Sequence, residues 1–254
     1  MTGLELYNAP QSTCSQRVRF VLHAKDLAFE EHRLDLFAGD QLRPAYLKLN
    51  PNGVVPTLVH DGAPVIDSSV IMEYLEEGFP GGRTFVPADP LRRARMRALI
   101  RFIDEVPTAA IRVPSYNLAF LPHFQSMGEE AFRALADAKP LRREFLLKMG
   151  RSGFSEADVS EALDRLRRAV QRMDDAIGEW GGPWLLGQRI SLADVAIMPV
   201  IVRMDDIGLA RLWADTPAVA RWCAAMQADP AFAPTYCKGS LLSEKYPHLR
   251  ERLA

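Results

Sequence analysis

Four neighbouring side chains near the start of the chain could take part in chemistry. Ser12, Thr13, Cys14 and Ser15 stand in "YNAPQSTCSQRVRF", where a predicted strand ends and a helical pattern begins. Ser and Thr are favoured at helix entries, so these side chains could serve only as a loop and a helix cap. The N-terminus of a helix also favours negative charge, so one of them could instead stabilise an anion there. These residues alone leave both interpretations open.

A second group of polar and backbone features follows further along the chain. In "NPNGVVPTL", Pro56 opens a predicted strand, and proline has no backbone N–H to donate. The neighbouring Val55 therefore offers unpaired backbone groups, which a peptide-like ligand could bind by strand addition. A cis Val55–Pro56 bond would present them well. Asp67 and Ser68 then open a helix whose free N–H groups and dipole suit a carboxylate. Each feature alone fits an edge-strand proline or an ordinary cap, but their coincidence with the Ser12 segment favours a binding site.

Composition and charge exclude several other kinds of function. Lys plus Arg number 31 and Asp plus Glu number 32 in 254 residues, which gives no overall attraction to nucleic acid or anionic lipid. No apolar run approaches the ~20 residues of a membrane span, and no signal peptide is evident, so we expect a cytoplasmic protein. The scattered cysteines and histidines predict neither a disulfide framework nor a metal site; they are Cys14, Cys223, Cys237, His23, His32, His60, His123 and His248.

The order of predicted elements divides the chain into two parts. Residues 1–80 read as β-α-β-α-β-β-α, with two parallel strands joined through a helix and a hairpin at Asp61-Gly62. After "GGRTFVPADP" the patterns are helical, and the S-x-x-D sequence of Ser191 and Asp194 predicts a structural capping box. We therefore predict an α/β unit over 1–80 and an all-helical unit over 90–254.

Four segments, in order and spacing, resemble the cytosolic glutathione transferase superfamily: "QSTCSQRVRFVL", "LNPNGVVPTL", "IDSSVIMEYLEE" and "LLGQRISLADVAIMP". The resemblance implies a thioredoxin-like domain over 1–80 that binds glutathione. It also implies an all-helical domain over 90–254 that supplies a second-substrate pocket, and a homodimer to which the mixed-charge helix near 90–105 could contribute. Residues 115–155 form a longer segment than is usual in the family. This segment is similar to the insertions of bacterial β-etherase-type and ganglioside-induced-differentiation-type members.

The resemblance also suggests which of the opening residues acts. Serine-type members carry their catalytic serine at the position of Ser12, five residues before Arg17. Its task would be to keep the glutathione thiol ionised; a free thiol has a pKa of ~8.5, and lowering that by about two requires ~2.7 kcal/mol. Thr13 is the alternative to Ser12. The Ser12-x-Cys14 spacing resembles the zeta-like branch, in which a cysteine can form a mixed disulfide with glutathione. The alternative, which we favour, is that Cys14 is a small residue that packs the helix on the sheet.

The remaining site residues follow from the resemblance in the same way. Gln41 would contact the glycyl end of glutathione, Val55 with Pro56 would pair with the cysteinyl backbone, and Asp67 with Ser68 would hold the γ-glutamyl group. Asp67 departs from the Glu or Gln that is commoner in the family.

The second-substrate pocket is expected to be apolar and aromatic. Tyr116, Phe120 and Phe124 would line it, where Pro107 and Pro114 interrupt a helix and widen the cleft. The predicted activity is attack by activated glutathione on an apolar or aromatic electrophile. The alternatives are β-etherase-like cleavage of aryl ethers, cysteine-dependent reductive dehalogenation or isomerisation, and a non-catalytic interaction protein of the same fold.

Overall fold

A computed structural model describes residues 3–249, and its N-terminal part is built on a four-stranded mixed sheet in the order β2-β1-β3-β4. Strand β1 pairs parallel with β2 and antiparallel with β3, and β4 extends the sheet as an antiparallel neighbour of β3. The elements of this part are β1 (Leu4–Asn8), α1 (Thr13–Ala24), β2 (Glu30–Arg33), a 3₁₀ turn (Asp40–Leu42), α2 (Pro44–Leu47), β3 (Thr57–His60), β4 (Ala63–Ile66) and α3 (Ser68–Gly78).

The turn between β3 and β4 shows how local sequence determines this sheet. Asp61 and Gly62 both have positive φ, 49° and 82°, and His60 pairs directly with Ala63. A two-residue turn with positive φ at both positions matches the twist of antiparallel strands, and Asp-Gly is a favoured pair for it. The predicted hairpin is therefore confirmed.

The second part of the chain is helical. Its elements are α4 (Pro90–Glu105), α5 (Pro107–Ala110), α6 (Arg112–Ser115), a π-helical turn (Tyr116–Phe120), α7 (Leu121–Gln125), α8 (Glu129–Asp137), α9 (Arg143–Met149), α10 (Glu156–Trp180), α11 (Leu192–Asp206), a 3₁₀ turn (Ala210–Leu212), α12 (Pro217–Gln227), α13 (Phe232–Thr235) and α14 (Leu242–Lys245). The predicted fold class, a thioredoxin-like part followed by an all-helical part, is confirmed. The boundaries at 80 and 90 stay predictions.

Helix α1 joins the two parts, because two of its arginines are buried between them. Arg17 donates from Nε to the Ala196 carbonyl of α11 at 2.8 Å and from Nη2 to Thr108 Oγ1 at 2.6 Å, and it forms an ion pair with Asp104. Its side chain is fully buried. The orientation of the sheet relative to the helices is therefore maintained by specific polar contacts as well as by apolar packing.

The capping box at the start of α11 is present and structural, as predicted. The Asp194 carboxylate accepts hydrogen bonds from Ser191 N at 2.8 Å and Ser191 Oγ at 2.7 Å, and also from Leu185 N and Trp222 Nε1. Burial raises the pKa of Asp194 above its ordinary value, and these four bonds act against that rise. Its partners hold the start of a helix that is buried along most of its length.

The structure differs from the predictions at one strand and at one proline. The second strand of the predicted order, which the sequence "AFEEHRLDL" places at 28–36, is shorter than predicted. After Arg33 the Asp35 carboxylate accepts bonds from Phe37 N and Ala38 N and turns the chain away. The helix predicted near 89–106 ends before Pro107 as expected. Pro114, in contrast, lies inside α6, and the chain stays helical beyond it.

Candidate active site

One cavity collects residues from both parts of the chain. The sheet side contributes the loop before α1, the start of α1, Gln41 and the segment 53–55, and the helical side contributes α6, the π-helical turn and α7. Ser12, Thr13, Cys14, Gln41 and Val55 all line it. Candidate residues that are up to 43 positions apart in sequence are therefore neighbours in space.

Ser12 is both a helix cap and a free hydrogen-bond donor. Its Oγ accepts a bond from Ser15 N at 3.3 Å, which caps α1, and its hydroxyl proton has no acceptor within residues 3–249. Ser15 is different, because it is fully buried and its Oγ accepts a bond from Ala9 N at 3.4 Å. The two sequence interpretations of Ser12 are thus compatible, since a hydroxyl can accept one bond and donate another.

Thr13 and Cys14 occupy the first turn of α1 and are both partly exposed to the cavity. Cys14 is a free cysteine, and the charge of Arg112 is close enough to interact with it. Cys223 contrasts with it, because burial raises the pKa of Cys223 to about 11. Of these two cysteines, only Cys14 lies where a ligand in the cavity could reach it.

Val55 presents a free backbone edge to the cavity. Its bond to Pro56 is cis, and neither its N–H nor its carbonyl has a hydrogen-bond partner among the described residues. The chain on either side is secured, since the Val54 carbonyl accepts bonds from Tyr46 Oη at 2.6 Å and Asn50 Nδ2 at 2.9 Å, and both of these groups also bond to Thr57 Oγ1. A peptide-like ligand could pair with this rigidly held edge.

Gln41 carries an unpartnered polar atom inside the site. Its side chain is 3% exposed, its Nε2 donates to the Leu36 carbonyl at 3.3 Å, and its Oε1 is buried without a hydrogen-bond partner in the described chain. A buried acceptor without a partner is costly and rare. Its position in the cavity wall fits an acceptor for the N–H of a bound ligand.

The other three residues assigned to glutathione binding, Pro56, Asp67 and Ser68, do not line this cavity. The Asp67 carboxylate caps α3 by accepting bonds from Ser69 N at 2.9 Å and Val70 N at 3.2 Å, and its φ of 71° is unusual for a residue other than glycine. Their assignment to the γ-glutamyl group and the cysteinyl backbone stays a prediction.

The helical wall of the cavity is aromatic. Tyr116, Phe120 and Phe124 line it, with Tyr116 stacked on Phe124 at 5.9 Å between ring centroids, and burial raises the pKa of Tyr116. Phe37 comes from the sheet side and packs edge-on against Phe120 at 5.6 Å. The sequence interpretation missed Phe37, because it lies in a loop where no periodicity marks a buried position.

Three basic residues that the sequence interpretation missed also line the cavity, namely Arg112, Lys139 and Arg142. A fourth, Arg203, is satisfied by the Gln11 carbonyl at 2.6 Å and by Asp206 at 3.6 Å. Arg112 lies between Pro107 and Pro114, where the sequence suggested only an interrupted helix, and the other two lie in the segment 115–155, for which the sequence suggested an insertion but no role. Within residues 3–249 no cluster of side chains suited to a metal ion occurs.

Comparison with protein families supports what the geometry suggests. The model described as "Glutathione S-transferase, N-terminal domain" matches residues 11–77, and that described as "Glutathione S-transferase, C-terminal domain" matches residues 149–225. The chain belongs to the glutathione S-transferase family. Neither match includes residues 78–148, where two prolines of the cleft and the three unanticipated cations lie.

Individual relatives of this glutathione S-transferase family member are named as enzymes, and the prediction of an enzyme is confirmed. Glutathione S-transferase 1 of Dianthus caryophyllus is 32% identical over 78% of this chain and 76% of its own length. Maleylacetoacetate isomerase of Pseudomonas aeruginosa is 30% identical over 90% of this chain and 93% of its own. Protein LigF of Sphingobium sp. strain SYK-6 is 28% identical over 92% and 93% of the two chains.

The solved structure of the β-etherase LigF superposes on this chain with a TM-score of 0.82 at 27% sequence identity, covering 92% of this chain and 98% of LigF. Within residues 3–249, no helix has both the length and the apolar character that a transmembrane span requires.

Proposed function

We propose that this protein is a glutathione transferase whose second substrate is an aromatic electrophile. One observation carries the proposal. A single cavity contains a hydroxyl with a free proton at a helix N-terminus, an unpaired strand edge, an unpartnered buried amide oxygen and an aromatic wall. Glutathione, when bound, supplies a thiol that becomes a nucleophile once it is ionised.

The residues of this chain divide the work between holding glutathione and activating it. Val55 would pair with its peptide backbone, Gln41 would accept an N–H near its glycyl end, and Asp67 with Ser68 would hold its γ-glutamyl group. The Ser12 hydroxyl would donate to the sulfur, and the N-terminus of α1 would favour the negative charge. Ser12 is oriented for this role because its oxygen is already engaged by Ser15 N.

Calorimetric titration with glutathione tests the binding step. We expect saturable binding that is weakened in Gln41→Ala, because the amide contact to the ligand is lost. A nitro-activated aryl chloride then tests turnover through release of chloride. If millimolar glutathione produces neither heat nor a thermal shift, the proposal is wrong.

A narrower version of the proposal is cleavage of aryl ethers. It is supported by the similarity to LigF, which extends through nearly the whole of both chains, and by the aromatic wall that could hold an aryl group. Incubation with an aryl ether and glutathione should release the corresponding phenol. Turnover of aryl chlorides without any release of phenol would leave the broader proposal and remove this one.

A cysteine-dependent reaction is the competing mechanism in the same cavity. It is supported by the access of Cys14 to the cavity and by the similarity to maleylacetoacetate isomerase. Mass spectrometry during turnover would reveal a glutathione adduct on Cys14 if this residue acts covalently. We favour Ser12, with Thr13 as the alternative, so we expect Cys14→Ala to remain active and Cys237→Ala, as its matched control, to behave the same way.

We also propose that the chain works as a cytoplasmic homodimer. Leu91 on α4 and Val70 on α3 are exposed apolar residues, at 64% and 55%, and Arg97 of α4 pairs with Glu73 of α3. Burial of these positions against a second copy would remove them from water. Light scattering should then give about twice the chain mass of 28.4 kDa. A monomer at micromolar concentration would contradict this.

A further inference from the structure

The cavity wall carries a concentrated positive charge that the protein as a whole does not. Arg112, Lys139 and Arg142 line it, and no aspartate or glutamate among the described residues does. The complete chain has a net charge of −1, so this concentration is local. A cavity lined by one sign of charge attracts ligands of the opposite sign.

These three cations have no anionic partner within residues 3–249. Arg112 makes no side-chain hydrogen bond there, Lys139 makes none, and Arg142 reaches only the neighbouring Leu141 carbonyl at 3.1 Å. Burial, followed by the charge of Arg142, lowers the pKa of both Arg112 and Lys139. Three partly buried cations that repel one another are unfavourable unless something compensates them.

The cations come from the helical side of the cavity, whereas the residues assigned to glutathione come from the sheet side. Arg112 belongs to α6, one turn before Tyr116, whereas Lys139 and Arg142 belong to the turn between α8 and α9. That turn is closed by a bond from Arg142 N to the Lys139 carbonyl at 2.9 Å. All three lie in residues 78–148, outside both matched family ranges. The positive charge is therefore contributed by the same side of the cavity as the aromatic wall.

We propose that the second substrate is an aromatic carboxylate, whose ring packs on the aromatic wall and whose carboxylate is bound by Arg112, Lys139 and Arg142. This rests on the proposed function and narrows its second substrate from an aromatic electrophile to one that also carries a carboxylate. Guanidinium groups suit the role, because they form paired, charge-assisted hydrogen bonds with carboxylates.

A matched pair of electrophiles tests the proposal. 4-Chloro-3-nitrobenzoate and 4-chloro-3-nitrobenzamide both react with a thiolate by forming a C–S bond and losing chloride, and the thiol proton goes to solvent. The kcat/KM of each compound is divided by its uncatalysed rate, because the two aryl chlorides differ in intrinsic reactivity. We expect the resulting value for the benzoate to exceed that for the benzamide by about tenfold to a hundredfold. Equal values for the two compounds would overturn the proposal.

Single substitutions identify which groups bind the carboxylate. Arg142→Gln should raise KM for the benzoate by about tenfold or more and leave KM for the benzamide nearly unchanged. Arg142→Lys should restore part of the loss. The control is the adjacent Arg143→Gln, because Arg143 is 47% exposed and already paired with Asp137 and Glu144; we expect about twofold change at most.

Two further measurements separate this proposal from its alternatives. If the cations instead bind the carboxylates of glutathione, Arg142→Gln will raise KM for glutathione, and the proposal is wrong. If neither electrophile turns over, naphthalene-2-carboxylate and naphthalene-2-carboxamide decide the matter by calorimetry without any reaction. Tighter binding of the carboxylate that is lost in Arg142→Gln supports the proposal even when the proposed transferase activity fails, and equal binding overturns it.

Discussion

Two groups of buried cations in this molecule have opposite surroundings. Arg17 and Arg19 of α1 are 0% and 1% exposed, and each of their guanidinium nitrogens donates to a carbonyl, hydroxyl, amide or carboxylate oxygen. Arg112, Lys139 and Arg142 are only half-buried, yet none has an anionic partner among residues 3–249. The first group connects elements of the fold, and the second group faces a cavity.

The difference separates polar groups that stabilise the fold from those that are available to a ligand. Replacing a fully partnered buried cation leaves its partners uncompensated, whereas replacing an unpartnered one removes an unfavourable charge. Ser12 and Asp67 lie between these extremes, because each caps a helix and is also assigned to the glutathione site. Stability and activity should therefore respond differently at the four positions tested below.

The largest effect is expected for Arg17→Met, which removes the contacts of Arg17 to Ala196, Asp104 and Thr108. Loss of a buried ion pair and its hydrogen bonds should lower the free energy of unfolding by about 3–5 kcal/mol. Urea denaturation followed by circular dichroism would measure it. A loss below about 1 kcal/mol would show that the contacts of Arg17 do not stabilise the fold. The partnered arginines of α1 would then not differ from the cations of the cavity.

Ser12→Ala should affect catalysis more than folding. Loss of one hydrogen bond to a charged sulfur costs about 1.5–3 kcal/mol, so the rate at neutral pH should fall about tenfold to a hundredfold. The pKa of the bound glutathione thiol, measured from thiolate absorbance, should rise. Ser12→Gly keeps most of the helix-cap stability and should lose the same activity. A variant Cys14→Ala that loses all transfer while Ser12→Ala keeps it would reverse the assignment.

Asp67→Ala should have a moderate effect on both properties. Removal of the cap on Ser69 N and Val70 N should lower the free energy of unfolding by about 1 kcal/mol, and glutathione binding should weaken. Asp67→Asn separates the two contributions, because asparagine caps a helix as well as aspartate does but carries no charge. Unchanged glutathione affinity in both variants, measured by calorimetry, would remove Asp67 from the binding site.

The smallest effect on stability is expected for Arg112→Met. This side chain has no hydrogen bond or ion pair to lose within residues 3–249, so the free energy of unfolding should change by less than about 1 kcal/mol or increase. Thermal and urea denaturation of Arg112→Met and Arg17→Met under the same conditions would measure the difference between their free energies of unfolding. A destabilisation as large as that of Arg17→Met would mean that Arg112 belongs to the fold rather than to a ligand site.

Local sequence was sufficient for several helix caps and turns in both parts of the chain. The cap at Ser12, the Asp61-Gly62 hairpin and the box of Ser191 and Asp194 each depend on contacts between residues a few positions apart. The segments around Val55 and Asp67 were recognised because family motifs preserve their order and spacing. Prediction was weaker at 28–36, where a turn at Asp35 ends the strand early. It was also weaker at Pro114, where the chain stays helical instead of breaking.

The sequence by itself therefore determined the elements that present Ser12, Cys14 and Val55, since periodicity, caps and turn residues act over short distances. Its resemblance to known motifs supplied the family and the fold class. Only the tertiary structure decided that Phe37 joins the aromatic wall and that Arg112 meets Lys139 and Arg142. These residues come from a loop, a short helix and an interhelical turn, and no repeating pattern relates them. Their convergence depends on how α6, α8 and α9 pack, because the charge of a cavity is a property of all the elements that surround it.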